Sequence, residues 1–193
     1  MRRNGLLTWY RMLPLLLVLL FGAISSVYSF APSFLFRPFY SLSYESDIVE
    51  SSNEYGIDPY LVAAVIRTES NWDEHAESHS GAQGLMQLMP ETARDMVQQG
   101  YVDGNSYNPY DLSDARVNIR YGCAYLSYLL RYFNGATDKA IAAYNAGMGN
   151  VDDWAQAKSR LHNAITFPET QAYLVRVTMT VRRYRDLYPT SFE

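Results

Sequence analysis

Proline and glycine punctuate this chain at helical distances. Pro59 and Pro90 each open a run whose apolar residues recur every three or four positions, and Gly56, Gly100 and the Asn134-Gly135 pair stand where such runs stop. Proline has no amide hydrogen to lose in a first helical turn, and glycine accepts the left-handed backbone that ends one. The pattern predicts helices over 46–55, 58–70, 90–99, 113–133, 137–146, 150–158 and 168–188, with Asp58 capping the second and Ser113 the fourth. In the fourth, Val117, Tyr121, Ala124 and Tyr128 fall on one face; in the last, Tyr173, Val177, Val181 and Tyr184 do. No Val/Ile/Thr stretch alternates strictly, so the expected fold is all-α or α-dominated.

The N-terminus reads differently. Arg2, Arg3 and Arg11 precede the apolar run "MLPLLLVLLFGAISS", as in an export signal. Residues 1–29 are expected to be a signal peptide or, if uncleaved, a membrane anchor that holds the rest of the chain outside the cytoplasm. Residues 30–45, aromatic and without a period, read as a tether, and 46–193 as one catalytic domain. The chain carries a formal charge of -4, and its first 29 residues hold no acid, so the domain itself is more acidic still. Without a basic run, nucleic acid is excluded as the main partner. Cys123 is the single cysteine, so stability rests on packing and not on a disulfide within the chain.

A carboxylate closes the apolar face of the second helix. Glu69 lies three, four and seven residues after Ile66, Val65 and Val62 and shares their side. Partial burial and the negative end of the helix dipole both disfavour its charge, so its pKa should rise toward that of a general acid. The alternative from spacing alone is a side chain that swings out to water or pairs with Arg67. After it comes "SHSGAQGLMQLMP", where Gly81 and Gly84 alternate with Ser78, Ser80 and Gln83, a composition that lets backbone and small polar groups approach a ligand. Met86, Gln87 and Met89 then offer apolar walls and an amide for a sugar-like substrate; taken without context, the two methionines read as ordinary core.

Together, "ESNWDEHAESHSGAQGLMQLMPETA", "AAYNAGMGNV" and "PETQAYL" closely resemble the catalytic domain of the soluble lytic transglycosylase family, from about Ser46 to Tyr188. The resemblance implies a lysozyme-like fold and cleavage of the MurNAc-β-1,4-GlcNAc bond of peptidoglycan glycan strands, leaving a 1,6-anhydromuramoyl end. It also implies the site. Glu69 would be the acid and then the base, Ser78 would help hold the substrate, and Met86 and Gln87 would line the cleft. Tyr144 and Asn145 stand in the "AAYNAG" motif, where the tyrosine orients chemistry near the acid. Glu169 matches a second glutamate in the groove, with Tyr173 one helical turn on. Two positions depart from the family pattern. Met148 stands where proline is frequent, and Gln171 replaces a frequent arginine beside Glu169.

The chemistry implied needs one carboxyl group and neither metal nor organic cofactor. The substrate's N-acetyl carbonyl stabilises the developing cation, and its C6 hydroxyl attacks in place of water. A retaining hydrolase would need a second carboxyl about 5 Å away. Asp73, Glu74 and Glu77 keep a hydrolytic muramidase as the first alternative, and a peptidoglycan-binding module without turnover as the second.

His75 and His79 have the i, i+4 spacing of a zinc pair but no third ligand nearby, so no metal is expected. Cys123, inside the long helix, is expected to be packed and unreactive. Most of the 17 tyrosines recur at helical spacing and are assigned to the core.

Overall fold

The computed structural model describes residues 12–30, 33–156 and 161–192. Arg2, Arg3 and Arg11 and the end of the helix expected over 150–158 lie outside them. The chain divides into two compact units, one ending at Tyr40 and one beginning at Ser41.

In the first unit, α1 covers Leu13–Phe30 and displays Leu16, Leu19 and Phe21 on its surface. Among the described residues no helix is long and apolar enough to cross a membrane. A short 3-10 helix, Ser33–Phe39, lies within the stretch read as a tether. With three residues per turn it leaves no 3.6-residue pattern to read.

The second unit holds α2 (Glu45–Tyr55), α3 (Pro59–Glu69), α4 (Pro90–Gln98), α5 (Ala115–Tyr132), α6 (Thr137–Ala146), α7 (Met148–Ala155), α8 (Leu161–Ala164) and α9 (Pro168–Leu187). The all-α expectation holds. α2 closes at Gly56, whose φ of 67° lets its N–H reach the Ser52 carbonyl. α3 starts where the Asp58 carboxylate accepts from the Tyr60 N–H at 3.0 Å. α5 is capped by Asp114, which accepts from the Val117 N–H at 2.9 Å, and not by Ser113 as the sequence suggested. Either residue type can cap; the one three positions before the donor has the reach.

Burial follows from the packing partners. α3 is buried along six consecutive residues, Leu61–Ile66, because α9, α2 and α5 all pack against it. Each buried Leu, Val or Ile side chain there contributes roughly 1.5–3 kcal/mol, so the middle of this helix is pinned. α5 is buried from Asn118 to Ala124 and packs on α2, α4 and α6. At the α2–α5 seam, Arg120 pairs with Glu54 and lies 3.9 Å from the centre of the Tyr107 ring, while Arg116 bonds Glu50 at 2.7 Å. Burial pushes the Cys123 thiol up, away from reactivity, in keeping with its position inside the helix.

The segment from Ser70 to Met89 is the part no periodicity described. It contains two isolated antiparallel bridges, Glu77 with Gln83 and Gln83 with Leu88, too short to leave an alternating pattern. Asn118, fully buried on α5, moulds it: its amide nitrogen donates to the carbonyls of Gln83 and Leu112, both at 2.8 Å, and its oxygen accepts from the Met86 N–H at 2.8 Å.

Candidate active site

Rigid neighbours hold Glu69 in place. It ends α3, and the Ser70 N–H and hydroxyl both bond back to the Ile66 carbonyl. The chain then turns sharply through Asn71 and Trp72, both with left-handed φ (54° and 72°). Asparagine accepts such backbone more readily than most residues, whereas for a bulky Trp72 it is costly. Here it is fixed by the Trp72 indole, which donates to the Tyr184 hydroxyl at 3.0 Å, while that hydroxyl donates to the Ser41 carbonyl at 2.9 Å.

The Tyr173 hydroxyl donates to Glu69 Oε1 at 2.6 Å. Tyr173 is only 2% exposed, so α9 presents a fixed donor to α3 across the interface between them. This leaves Oε2 as the oxygen free to carry a proton. Burial raises the Glu69 carboxyl to about 7 from its ordinary 4.5; the Tyr173 bond and the Arg176 charge oppose that rise, and the Glu169 charge adds to it. The sequence argument for a raised carboxyl stands, with desolvation as its main cause.

Tyr144 reaches the same place from α6. Its hydroxyl donates to the Met86 carbonyl at 2.8 Å, and burial together with the Glu69 charge holds its own pKa well above the usual range. Asn145, next to it, accepts from the Thr170 hydroxyl at 2.7 Å and so ties α6 to the first turn of α9 beside Glu169. Glu169 is exposed. Glu69, Tyr144, Tyr173, Asn145 and Glu169 are thus drawn together by three helices far apart in sequence.

The loop residues are engaged in the loop's own packing and hydrogen bonds. Met86 is 0% exposed, its side chain lodged where a Cβ on Gly122 would come within 2.1 Å of the sulfur. It therefore packs against α5 and forms no open apolar wall; what it presents to Tyr144 is its carbonyl. The Gln87 amide nitrogen donates to the carbonyls of Ala76 and Gly84, each at 3.0 Å, so its donors shape the loop and only its oxygen remains for a ligand. Ser78 closes a tight turn, its hydroxyl oxygen accepting from the Ala82 N–H at 2.9 Å, which leaves the hydroxyl proton to donate. The close approach that requires Gly84 is to Asn118 and Leu112 and not to a ligand: a Cβ there would lie 2.3 Å from both, on a φ of +74°.

Of the alternative second carboxylates, Asp73 accepts from the His75 N–H at 2.9 Å and Glu74 from the Tyr44 hydroxyl at 3.1 Å. Glu77 is exposed in the loop. The carboxylate whose charge bears on Glu69 is Glu169. Gln171, at the position where arginine was expected, donates to the carbonyls of Ile165 (2.7 Å) and His162 (3.1 Å) and so staples the lead-in to α9.

Sequence reasoning missed Arg176 and Asn118. Arg176 lies three residues after Tyr173 and seven after Glu169, a spacing that could have revealed it. For Asn118 the signal was weaker, a lone amide within an apolar helical stretch.

The sequence profile of the transglycosylase SLT domain matches residues 47–167. The chain belongs to that family. Among curated SLT relatives, the soluble lytic murein transglycosylase of Escherichia coli (strain K12) is 37% identical over 128 residues, which cover 63% of this chain and 20% of that protein. The membrane-bound lytic murein transglycosylase C of Histophilus somni (strain 2336) is 37% identical over 112 residues, 54% of this chain and 31% of that one. Among solved structures, the 70 kDa soluble lytic transglycosylase Slt70 of Escherichia coli superposes with a TM-score of 0.72 at 32% identity, over 77% of this chain and 25% of that one. An inactive mutant of lytic transglycosylase Slt from Pseudomonas aeruginosa gives 0.71 at 31% identity, over 79% and 25%. The chain therefore spans about a fifth to a third of the length of these relatives. The SLT match ends at residue 167, one residue before α9, the helix that supplies Tyr173 and Glu169.

Proposed function

We propose that the protein is a peptidoglycan lytic transglycosylase that cleaves the MurNAc-β-1,4-GlcNAc bond and leaves 1,6-anhydroMurNAc ends. The observation that carries this reading is Glu69: a carboxyl raised to about 7 by burial, anchored through Oε1 by Tyr173. Near neutral pH such a group can give a proton and take it back.

In the first step Glu69 Oε2 protonates the glycosidic oxygen, the bond to the anomeric carbon breaks, and the GlcNAc hydroxyl leaves. The N-acetyl carbonyl of MurNAc holds the resulting cation. In the second step the C6 hydroxyl of the same MurNAc attacks the anomeric carbon and passes its proton to the Glu69 carboxylate. The acid is regenerated, and no water is consumed. Ser78, Gln87, Asn145 and Glu169 are proposed to hold the sugars; Tyr144 and Tyr173 fix the loop and the carboxyl group. Relatives named lytic murein transglycosylases, and the engagement of Asp73 and Glu74 with other partners, favour this route over hydrolysis.

We assign the reaction to the cell envelope, with residues 1–29 as the export segment, 30–45 as a tether and 46–193 as the catalytic domain. The test is mass spectrometry of fragments released from purified peptidoglycan. Nonreducing fragments lighter by one water support the proposal. Reducing MurNAc ends would convert it to a hydrolase, and binding without release would leave a glycan-binding module.

A further inference from the structure

Not all the tyrosines lie in the core. Tyr125, Tyr128 and Tyr132 stand at i, i+3 and i+7 on α5 and therefore share one face. Tyr125 and Tyr128 are partly exposed, and Tyr132 is 47% exposed. Their rings form a continuous series. Tyr144, in the active site, lies 5.3 Å from Tyr125 between centroids; Tyr125 stacks on Tyr128 at 6.4 Å with planes 17° apart; Tyr128 lies 6.4 Å from Tyr132. Tyr101 meets Tyr128 edge-on at 5.8 Å and widens the series.

Polar groups border it. Asp152 on α7 accepts from the Tyr132 hydroxyl at 2.6 Å, and the Arg131 guanidinium lies 5.7 Å from the centre of the Tyr101 ring. The rings are part-open to water along a line that begins beside the Glu69 carboxyl, so a ligand leaving that site can reach them.

The geometry points to a second binding surface on α5: an aromatic track that carries the glycan strand away from Glu69. A pyranose ring has one face of C–H groups and a rim of hydroxyls. It therefore suits a surface of flat rings edged by a carboxylate and a guanidinium. The occupant is the glycan, not its peptide, because the track continues the site in which the sugar bond is broken and repeats the same apolar ring along its length. This inference rests on the transglycosylase reading. Its consequence is that affinity grows with strand length beyond the sugars at Glu69.

The experiment uses the full chain carrying Glu69→Gln, so that the ligand is not consumed, and titrates it calorimetrically with peptide-free glycan strands of increasing length. Adding Tyr128→Ala and Tyr132→Ala together is expected to weaken binding of long strands about tenfold, a loss that shrinks as strands shorten. Tyr128→Phe with Tyr132→Phe keeps the rings and is expected to restore the affinity. Tyr110→Ala, which removes an exposed tyrosine elsewhere (69% exposed), should change nothing. Thermal melting of each variant checks the fold, and Tyr132→Ala alone serves if the double variant melts early. Unchanged affinity in a folded alanine variant would overturn the track, as would a loss equally large for the shortest strands. Product analysis of the parent protein judges the cleavage chemistry separately, so a failed track with anhydro products leaves that chemistry intact.

Discussion

Replacing Glu69 by Gln should make the protein more stable while abolishing its activity. The amide keeps the shape of the carboxyl, and its oxygen can still accept from Tyr173. The change removes the cost of a buried charge. Burial moves this carboxyl from 4.5 to about 7, so between those values the folded state holds a proton that the unfolded state has released. Stability therefore falls as pH rises through that window and levels off above about 7. A displacement of this size corresponds to about 3 kcal/mol. For a chain of this length that is a melting difference of roughly 6 to 12 °C. The assay is thermal unfolding by circular dichroism for parent and variant between pH 4 and 8.5. The curves should nearly coincide near pH 4 and separate progressively to pH 8, with the variant higher. A separation independent of pH, or one that grows toward acid, would refute the assignment of a raised pKa to Glu69. The same ionisation should give the parent's kcat/KM an alkaline limb near pH 7, since the carboxylate cannot protonate the leaving oxygen.

Other perturbations probe the supports of the site. Tyr173→Phe removes a donor that favours the ionised form of Glu69, so the alkaline limb should move to higher pH while activity drops about tenfold or more. A pH–rate profile unchanged in position would remove Tyr173 from the proton chemistry. Gly84→Ala forces a methyl to within 2.3 Å of Asn118 Nδ2 and the Leu112 carbonyl, on a left-handed φ. Urea unfolding should show a loss of about 3 kcal/mol or more, and a loss under 1 would mean that the loop has another conformation available.

Much of this was legible along the chain because helices are local objects. Pro59 and Pro90 at first turns, the Asp58 cap and the Gly56 stop act within a few residues, so the positions of most helices in the second unit could be read directly. Glu69 was legible too, since the face it shares with Val62, Val65 and Ile66 follows from helical spacing. Its loop was not. The bridges of Glu77, Gln83 and Leu88 are too short for a pattern, and Gly84 and Gln87 proved to serve the loop's own backbone, a purpose visible only once Asn118 arrives from α5. The resemblance puts Met86 in the cleft and its spacing alone reads as ordinary core; its side chain is buried in the dent at Gly122, 36 positions away in the sequence.

The sequence by itself therefore determined most of the helices and the family and pointed to Glu69 as the acid, because each depends on residues within a turn or a motif of one another. The tertiary structure alone decided how that acid is tuned. Desolvation needs α9, α2 and α5 packed around α3, the Tyr173 bond spans 104 positions, and the line of rings leaving Tyr144 exists only where α6 meets α5. Electrostatics and stacking depend on distance through space, which the order of residues along a chain does not fix.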